Sequence, residues 1–159
     1  MRYKVAPPTR SLGFLETARA AVPLVPDGEA DCCRAIQRAA GVEDRETARA
    51  YLTFLQALGL VAESERGYYR TRERLGRERL AASYRDRVFL GAELLDAVEA
   101  EPRTTDAAFE VVRDRIPRWE RERDPAWERH WHERVAHLLA WAVVLGRLTV
   151  DSGRFTAVQ

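Results

Sequence analysis

Apolar residues recur at helical spacing through the first third of the chain and predict three consecutive helices. The third helix has Asp44 in the N-cap position and Gly59 directly after its last turn, both typical of helix ends. One face of this helix is apolar and would enter the core, and the opposite face is polar. The predicted helices span residues 12–22, 29–40 and 44–58.

A short hairpin is predicted after the third helix. Residues 60–63 and 68–71 read as strands, and the residues between them form a turn. Side chains alternate along a strand, so one side of the second strand carries Tyr68, Arg70 and Arg72. One of the two adjacent tyrosines is expected to pack on the core.

The third helix and the hairpin resemble a known family. Residues 46–52, reading ETARAYL, and residues 58–61, reading LGLV, are similar to the recognition helix and first wing strand of winged helix-turn-helix proteins. Residues 35–42 resemble the helix and turn that precede that recognition helix. The resemblance covers residues 1–73, and it implies a winged-helix fold.

The second half of the chain repeats this order of elements. A shift of 87 residues sets Leu58-Gly59 on Leu145-Gly146 and Phe54 on Trp141. Thr105 or Asp106 is expected to cap the second of its helices, and Asp124-Pro125 to start the third. Residues 118–123 read as a charged connection. The predicted elements are helices at 88–101, 105–116 and 124–145 and strands at 148–150 and 155–158.

We therefore predict a mainly α fold with small β-hairpins, an α+β protein of two tandem winged-helix-like domains with the second diverged. The first domain spans residues 1–73 and includes an N-terminal arm. Residues 74–87 form a connecting charged helix or linker with Leu75, Leu80 and Tyr84 as sparse anchors. The second domain spans residues 88–159.

The N-terminal arm, residues 1–10, carries Arg2, Lys4 and Arg10. Such an arm could reach a phosphate backbone or a neighbouring subunit, or it could be a disordered end. The arm also contains Pro7-Pro8, which interrupts any signal-peptide core. Because no apolar run approaches the roughly 18–20 residues that span a membrane, we predict a cytoplasmic protein without a membrane segment.

The formal net charge is only +1, so a nucleic-acid-binding function would depend on local clusters of charge. Lys4 is the only lysine, and arginine supplies every other basic charge. A GC-rich genome is one explanation of this bias. The other is that guanidinium groups suit bidentate contacts with phosphates and bases.

The favoured function is double-stranded DNA binding, as a transcriptional regulator. The outward stripe of helix 44–58 lies on the helix that winged-helix proteins insert into the major groove, and the 60–72 wing would lie beside it. Arg45 and Arg49 would contact bases or phosphates, and Arg70 and Arg72 would contact phosphates. The predicted DNA-binding residues are Arg45, Arg49, Thr53, Gln56, Arg66, Tyr68, Arg70 and Arg72.

The alternative is a tandem winged-helix protein–protein interaction module within a larger complex. It is motivated by the near-neutral charge and by the mixed charges of the last predicted helix. Trp119 stands in a charged segment and is the candidate partner-binding anchor, although a core position is the commoner place for tryptophan. A homodimer is a further form such a partnership could take.

Catalytic or metal chemistry is not predicted. His132 and His137 miss the HExxH zinc spacing by one residue, so their side chains diverge around the helix, and surface positions are expected. The adjacent Cys32 and Cys33 lack a second cluster; we expect Cys33 in the core beside Ile36 and Cys32 partly buried. The sequence therefore indicates no enzyme, no cofactor and no metal site.

Overall fold

A computed structural model describes residues 2–72 and 76–159 and has the predicted mainly α architecture with two small antiparallel sheets. None of the described helices is long and apolar enough to cross a membrane. The helices are α1 (Leu12–Ala21), α2 (Glu29–Ala40), α3 (Arg45–Ala57), α4 (Arg77–Arg87), α5 (Gly91–Ala100), α6 (Thr105–Val112), α7 (Arg118–Arg123) and α8 (Trp127–Val144). The strands are β1 (Val61–Ser64), β2 (Gly67–Arg70), β3 (Arg103–Thr104), β4 (Leu148–Asp151) and β5 (Arg154–Ala157).

The first unit, α1 to β2, follows the predicted order closely. Asp44 caps α3, because its carboxylate accepts a hydrogen bond from the Thr47 N–H at 2.9 Å. The wing strands β1 and β2 pair antiparallel and lie within one residue of their predicted ends. An isolated antiparallel bridge joins Asp27 to Tyr68 of β2, which the hairpin pattern did not predict.

The second unit, α5 to β5, departs from the prediction at five places. The helix predicted from residue 88 begins at Gly91, after Leu90 in a left-handed conformation with φ of 71°. The helix predicted to residue 116 ends at Val112 and is followed by a 3-10 turn at Arg113–Arg115. Thr104 caps α6, in place of the predicted Thr105 or Asp106, because residues 103–104 belong to a strand that pairs with β5. Residues 118–123, predicted as a charged connection, form helix α7. The helix predicted from Asp124 begins at Trp127, because the Asp124 carboxylate and carbonyl oxygens accept bonds from Ala126 and Trp127 in a turn.

The backbone conformation at the end of α3 and in the following wing recurs at the end of α8 and in the second hairpin. Gly59 and Gly146 both adopt φ near +80°, at 80° and 78°. The strands keep the same register, since Val61 pairs with Arg70 and Leu148 pairs with Ala157. Four backbone hydrogen bonds at the end of α3 and in its wing also recur 87 residues later. In the first unit the N–H groups of Leu58, Gly59, Leu60 and Thr71 donate to the carbonyls of Phe54, Gln56, Leu55 and Leu60, respectively. In the second unit the N–H groups of Leu145, Gly146, Arg147 and Val158 donate to the carbonyls of Trp141, Val143, Ala142 and Arg147. The predicted 87-residue shift therefore describes the equivalence of the two wings residue by residue.

One apolar cluster runs through both units. At its centre Phe54 of α3 and Trp141 of α8 are fully buried, with ring centroids 4.6 Å apart. Cys32 and Cys33 also lie wholly inside, so Cys32 is deeper than its predicted half-buried position. Burial raises the pKa of the Cys32 thiol to about 11, and nearby Asp27 adds to the shift.

Helix α4 joins the two units through its own apolar face. Leu80 and Tyr84 are buried as predicted, and the Tyr84 hydroxyl donates a 2.7 Å bond to the Leu138 carbonyl of α8. Burial drives the pKa of Tyr84 far above its usual value, so the hydroxyl remains a donor. The third predicted anchor, Leu75, lies outside the described residues, and the predicted domain boundaries stay a prediction.

Candidate nucleic-acid interface

The outward face of α3 carries the four predicted contact residues. Arg45 and Arg49 are exposed, and Thr53 and Gln56, two turns further on, are half-buried. The opposite face of the helix is fixed in the core by residues such as Tyr51 and Leu55, so the outward face has a defined direction. Hydrogen bonds from the Thr47 N–H and hydroxyl hold the Asp44 carboxylate at the N-terminus and lower its pKa.

Arg49 forms an ion pair with another side chain of the protein. Its Nε lies 3.2 Å from the Glu29 carboxylate at the start of α2, while its side chain remains 66% exposed. An ion pair in this exposed position is typically worth less than about 1 kcal/mol. A phosphate or a base edge could therefore replace the Glu29 carboxylate at small cost.

The predicted contact residues of the wing lie partly at its tip and partly at its base. Arg66 lies in the turn at the tip and is exposed, close to the exposed Glu63 and Glu65. Tyr68 is half-buried against the core, and burial and the adjacent Glu63 raise its pKa. The carboxylates at the tip oppose deep entry of the wing into DNA.

Arg70 and Arg72 lie at the base of the wing, next to the C-terminal end of α1. Arg70 Nη1 is 3.4 Å from the Ala20 carbonyl, and Arg19 Nη2 donates a 2.7 Å bond to the Thr71 carbonyl. Arg19, Arg70 and Arg72 line one open cleft of about 440 Å³ together with Leu24 and Thr71. Arg19 was not predicted, since it belongs to α1 and only the folded chain brings it to the wing.

The N-terminal arm does not extend away from the protein. It lies between α3 and α8, where consecutive carbonyls contact two buried side chains and one half-buried side chain. The Tyr51 hydroxyl donates to Pro8 at 2.6 Å, Trp141 Nε1 donates to Pro7 at 2.9 Å, and His137 Nδ1 lies 3.1 Å from the Ala6 carbonyl. The arm is therefore a strap across the two helices, and His137, predicted at the surface, helps to hold it.

The cationic side chains of the arm contact groups of the same chain. Arg2 pairs with Glu93 at 2.8 Å, and Arg10 lies over the ring of Phe14 at 4.3 Å. Lys4 pairs with Glu120 at 3.2 Å. The predicted reach of the arm towards a phosphate backbone would require these contacts to open.

Trp119 lies on α7 and is 52% exposed, so it is not a core residue. Lys4 Nζ lies 4.2 Å from its ring centroid and the Arg123 guanidinium 5.0 Å. Such cation–π contacts at exposed sites contribute roughly 0.5–1 kcal/mol each. Trp119 is thus an accessible aromatic surface flanked by two cations.

The corresponding face of α8 differs from that of α3. The 87-residue shift carries Arg45, Arg49, Thr53 and Gln56 onto His132, Ala136, Ala140 and Val143. His132 is bonded through Nε2 to the Asp106 carboxylate. The three other positions hold small or apolar side chains that have no hydrogen-bonding group.

Residues 1–159 match the family model of the halobacterial double winged helix domain. No curated protein and no solved structure matches the chain.

Proposed function

The chain belongs to the halobacterial double winged helix domain family, and on this premise we propose that it binds double-stranded DNA as a transcriptional regulator. The first unit would make the contacts, with α3 in the major groove and the β1–β2 wing along the backbone.

The observation that carries the proposal is the polar outward face of α3. A helix fits the major groove of B-DNA, and arginine recognises guanine through two parallel hydrogen bonds. Arg45 and Arg49 would contact bases or phosphates near the N-terminal end of the helix. Thr53 and Gln56 would lie further along the same groove.

Phosphate contacts would come from the wing. Arg66 lies at the tip, whereas Arg70 and Arg72 lie at the base beside Arg19. Because the whole chain is almost neutral, binding would depend on these local cations and would weaken as salt rises.

Titration against random genomic duplex DNA at several salt concentrations tests the proposal. We expect a binding constant that falls steeply with salt, with a slope that reports the number of phosphates contacted. Arg49→Ala should weaken binding to a selected site by about 1–3 kcal/mol if Arg49 contacts a base. Arg129→Ala is the matched control, since Arg129 is an exposed arginine near the start of α8.

Two results would contradict the proposal. Absence of binding even at low salt would remove the DNA-binding function altogether. Equal affinities of the wild-type, Arg49→Ala and Arg129→Ala proteins for the selected site would remove the proposed contact of Arg49 with DNA.

A protein-interaction module is the second candidate function. The exposed ring of Trp119 and the apolar positions Ala136, Ala140 and Val143 favour it. In that case Trp119→Ala should abolish capture of a partner by the purified protein, whereas Arg49→Ala should leave capture unchanged. If Arg49→Ala weakens DNA binding and Trp119→Ala leaves it unchanged, the first proposal is favoured.

A further inference from the structure

We infer that one chain recognises a single asymmetric duplex site through one major groove, with α3 inserted and α8 excluded from the groove. The inference rests on the proposed DNA-binding function and specifies the class of DNA that the function would use. It contrasts with the common arrangement in which two helix-turn-helix units read two halves of an inverted repeat.

The first argument is the distance between α3 and α8. Phe54 and Trp141 are in contact at 4.6 Å, and the two helices bond to the adjacent carbonyls of Pro8 and Pro7. A helix with its side chains measures about 10–12 Å across, so two helices whose side chains touch have axes about that far apart at the point of contact. Successive major grooves on one side of a duplex are about 34 Å apart. Where they touch, the two helices are therefore much closer together than two successive major grooves, and this contact disfavours the insertion of both helices into one duplex.

The second argument concerns a single groove. The major groove is about 12 Å wide, and an α-helix with its side chains measures about 10–12 Å across. Two helices side by side would need roughly 20 Å. One helix therefore fills the groove, and its packed neighbour remains outside.

The third argument identifies the helix that enters. The outward face of α3 offers two exposed arginines and two further polar side chains, Thr53 and Gln56. The equivalent positions of α8 offer Ala136, Ala140 and Val143, which have no donor or acceptor, and His132, which is bonded to Asp106. Base edges bound against α8 would lose their hydrogen bonds to water without replacement.

The fourth argument is that the two helices are held together by buried groups. Phe54 and Trp141 are both 0% exposed, and the Tyr84 hydroxyl of α4 bonds to the α8 backbone from inside the protein. The strap formed by residues 6–9 bonds to both α3 and α8. Separating the helices to reach two grooves would expose this apolar contact and break the strap.

A length series of random-sequence duplexes tests the inference, with the log–log salt slope as the readout. The slope counts neutralised phosphates and is independent of the number of registers on each duplex. We expect equal slopes for duplexes of about 12 and 24 base pairs, at one chain per occupied site. Arg49→Ala should lower affinity at least fivefold at both lengths, and Arg129→Ala should change it less than twofold.

Selection from a random duplex library completes the test. The expected product is an asymmetric motif bound by one chain, or an inverted repeat bound by two chains, each in its own groove. An inverted repeat bound by one chain, or a clearly steeper slope on the longer duplex, overturns the inference but leaves DNA binding intact. Absence of DNA binding at low salt overturns both the inference and the proposed function.

Discussion

The two units share a backbone but present different surfaces. The bonds that end α3 and α8, the left-handed glycines after them and the register of both wings coincide after an 87-residue shift. The outward side chains do not coincide, since Arg49 corresponds to Ala136 and Thr53 to Ala140. Core packing and backbone conformation restrict the residues at the helix ends and in the wings, whereas solvent-facing residues can change at small cost in stability. Evidence of common architecture is therefore not evidence of common function.

The second unit also carries an additional helix. Residues 118–123 form α7 ahead of α8, and the Arg121 guanidinium lies 5.7 Å from the ring centroid of Trp127, whose ring also faces Arg113 at 4.9 Å. Trp119 on the same helix stays exposed. The first unit has a short turn in the equivalent place, between α2 and α3, which leaves the N-terminal half of α3 accessible.

Loss of the Phe54–Trp141 contact between the units is expected to have the largest effect on stability. Trp141→Ala should lower the free energy of unfolding by about 3–5 kcal/mol, because a fully buried indole is lost and a cavity remains. The Pro7 carbonyl also loses its donor. Chemical denaturation followed by circular dichroism measures the change, and both units should unfold in one transition.

Trp119→Ala is the control for that prediction. It removes the same side chain from a site that is 52% exposed, so we expect a loss of about 1 kcal/mol or less. Comparable losses for the two variants would contradict the buried contact. Two separate transitions, only one of them shifted by Trp141→Ala, would show that the units fold independently.

Substitution of the two equivalent glycines, Gly59 and Gly146, is expected to have an intermediate effect on stability. Gly59→Ala and Gly146→Ala should each lower the free energy of unfolding by about 1–2 kcal/mol, because alanine is strained at positive φ. At Gly146 the added Cβ would also lie 2.8 Å from Arg77 Cδ, which is part of a flexible side chain. Thermal and denaturant unfolding of the two variants measures whether the two positions are equivalent.

Gly13→Ala should change stability in the opposite direction. Gly13 lies in α1, and an added Cβ would meet only an ordinary contact at 3.7 Å from Ser11 Oγ. Alanine there should stabilise the protein by about 0.5–1 kcal/mol. A stabilising effect of alanine at either Gly59 or Gly146 would show that this backbone equivalence is wrong.

The smallest effect concerns the ion pair on α3. Glu29→Gln should release Arg49 and raise DNA affinity about twofold to fivefold, with stability changed by less than about 0.5 kcal/mol. Glu16→Gln makes the same change in net charge on an exposed part of α1 and controls for long-range attraction. Fluorescence anisotropy with labelled duplex measures both variants.

The double variant Glu29→Gln/Arg49→Ala separates the two explanations. If the gain comes from Arg49, the double variant should bind no better than Arg49→Ala alone. A gain that persists without Arg49, or that Glu16→Gln reproduces, would show that only net charge changed.

Several local features were correctly predicted from the sequence because neighbouring residues determine them. The bounds of α2, the Asp44 cap and the turn after Gly59 depend on side chains within one or two turns of each other. The predictions that failed depended on distant partners. Thr104 caps α6 because residues 103–104 pair with a strand some fifty residues later. Helix α7 lies where a charged connection was predicted.

The sequence by itself determined the order of the elements in the first unit, the repeat of the last helix and wing, and the outward stripe of α3, because helical spacing, caps and glycine positions are local properties. Only the tertiary structure decided how the two units meet. The packing of Phe54 on Trp141 and the bonds from Tyr51 and Trp141 to the arm join residues far apart in the chain. Such contacts follow from which apolar surfaces remain uncovered after each unit forms, and that depends on both units at once.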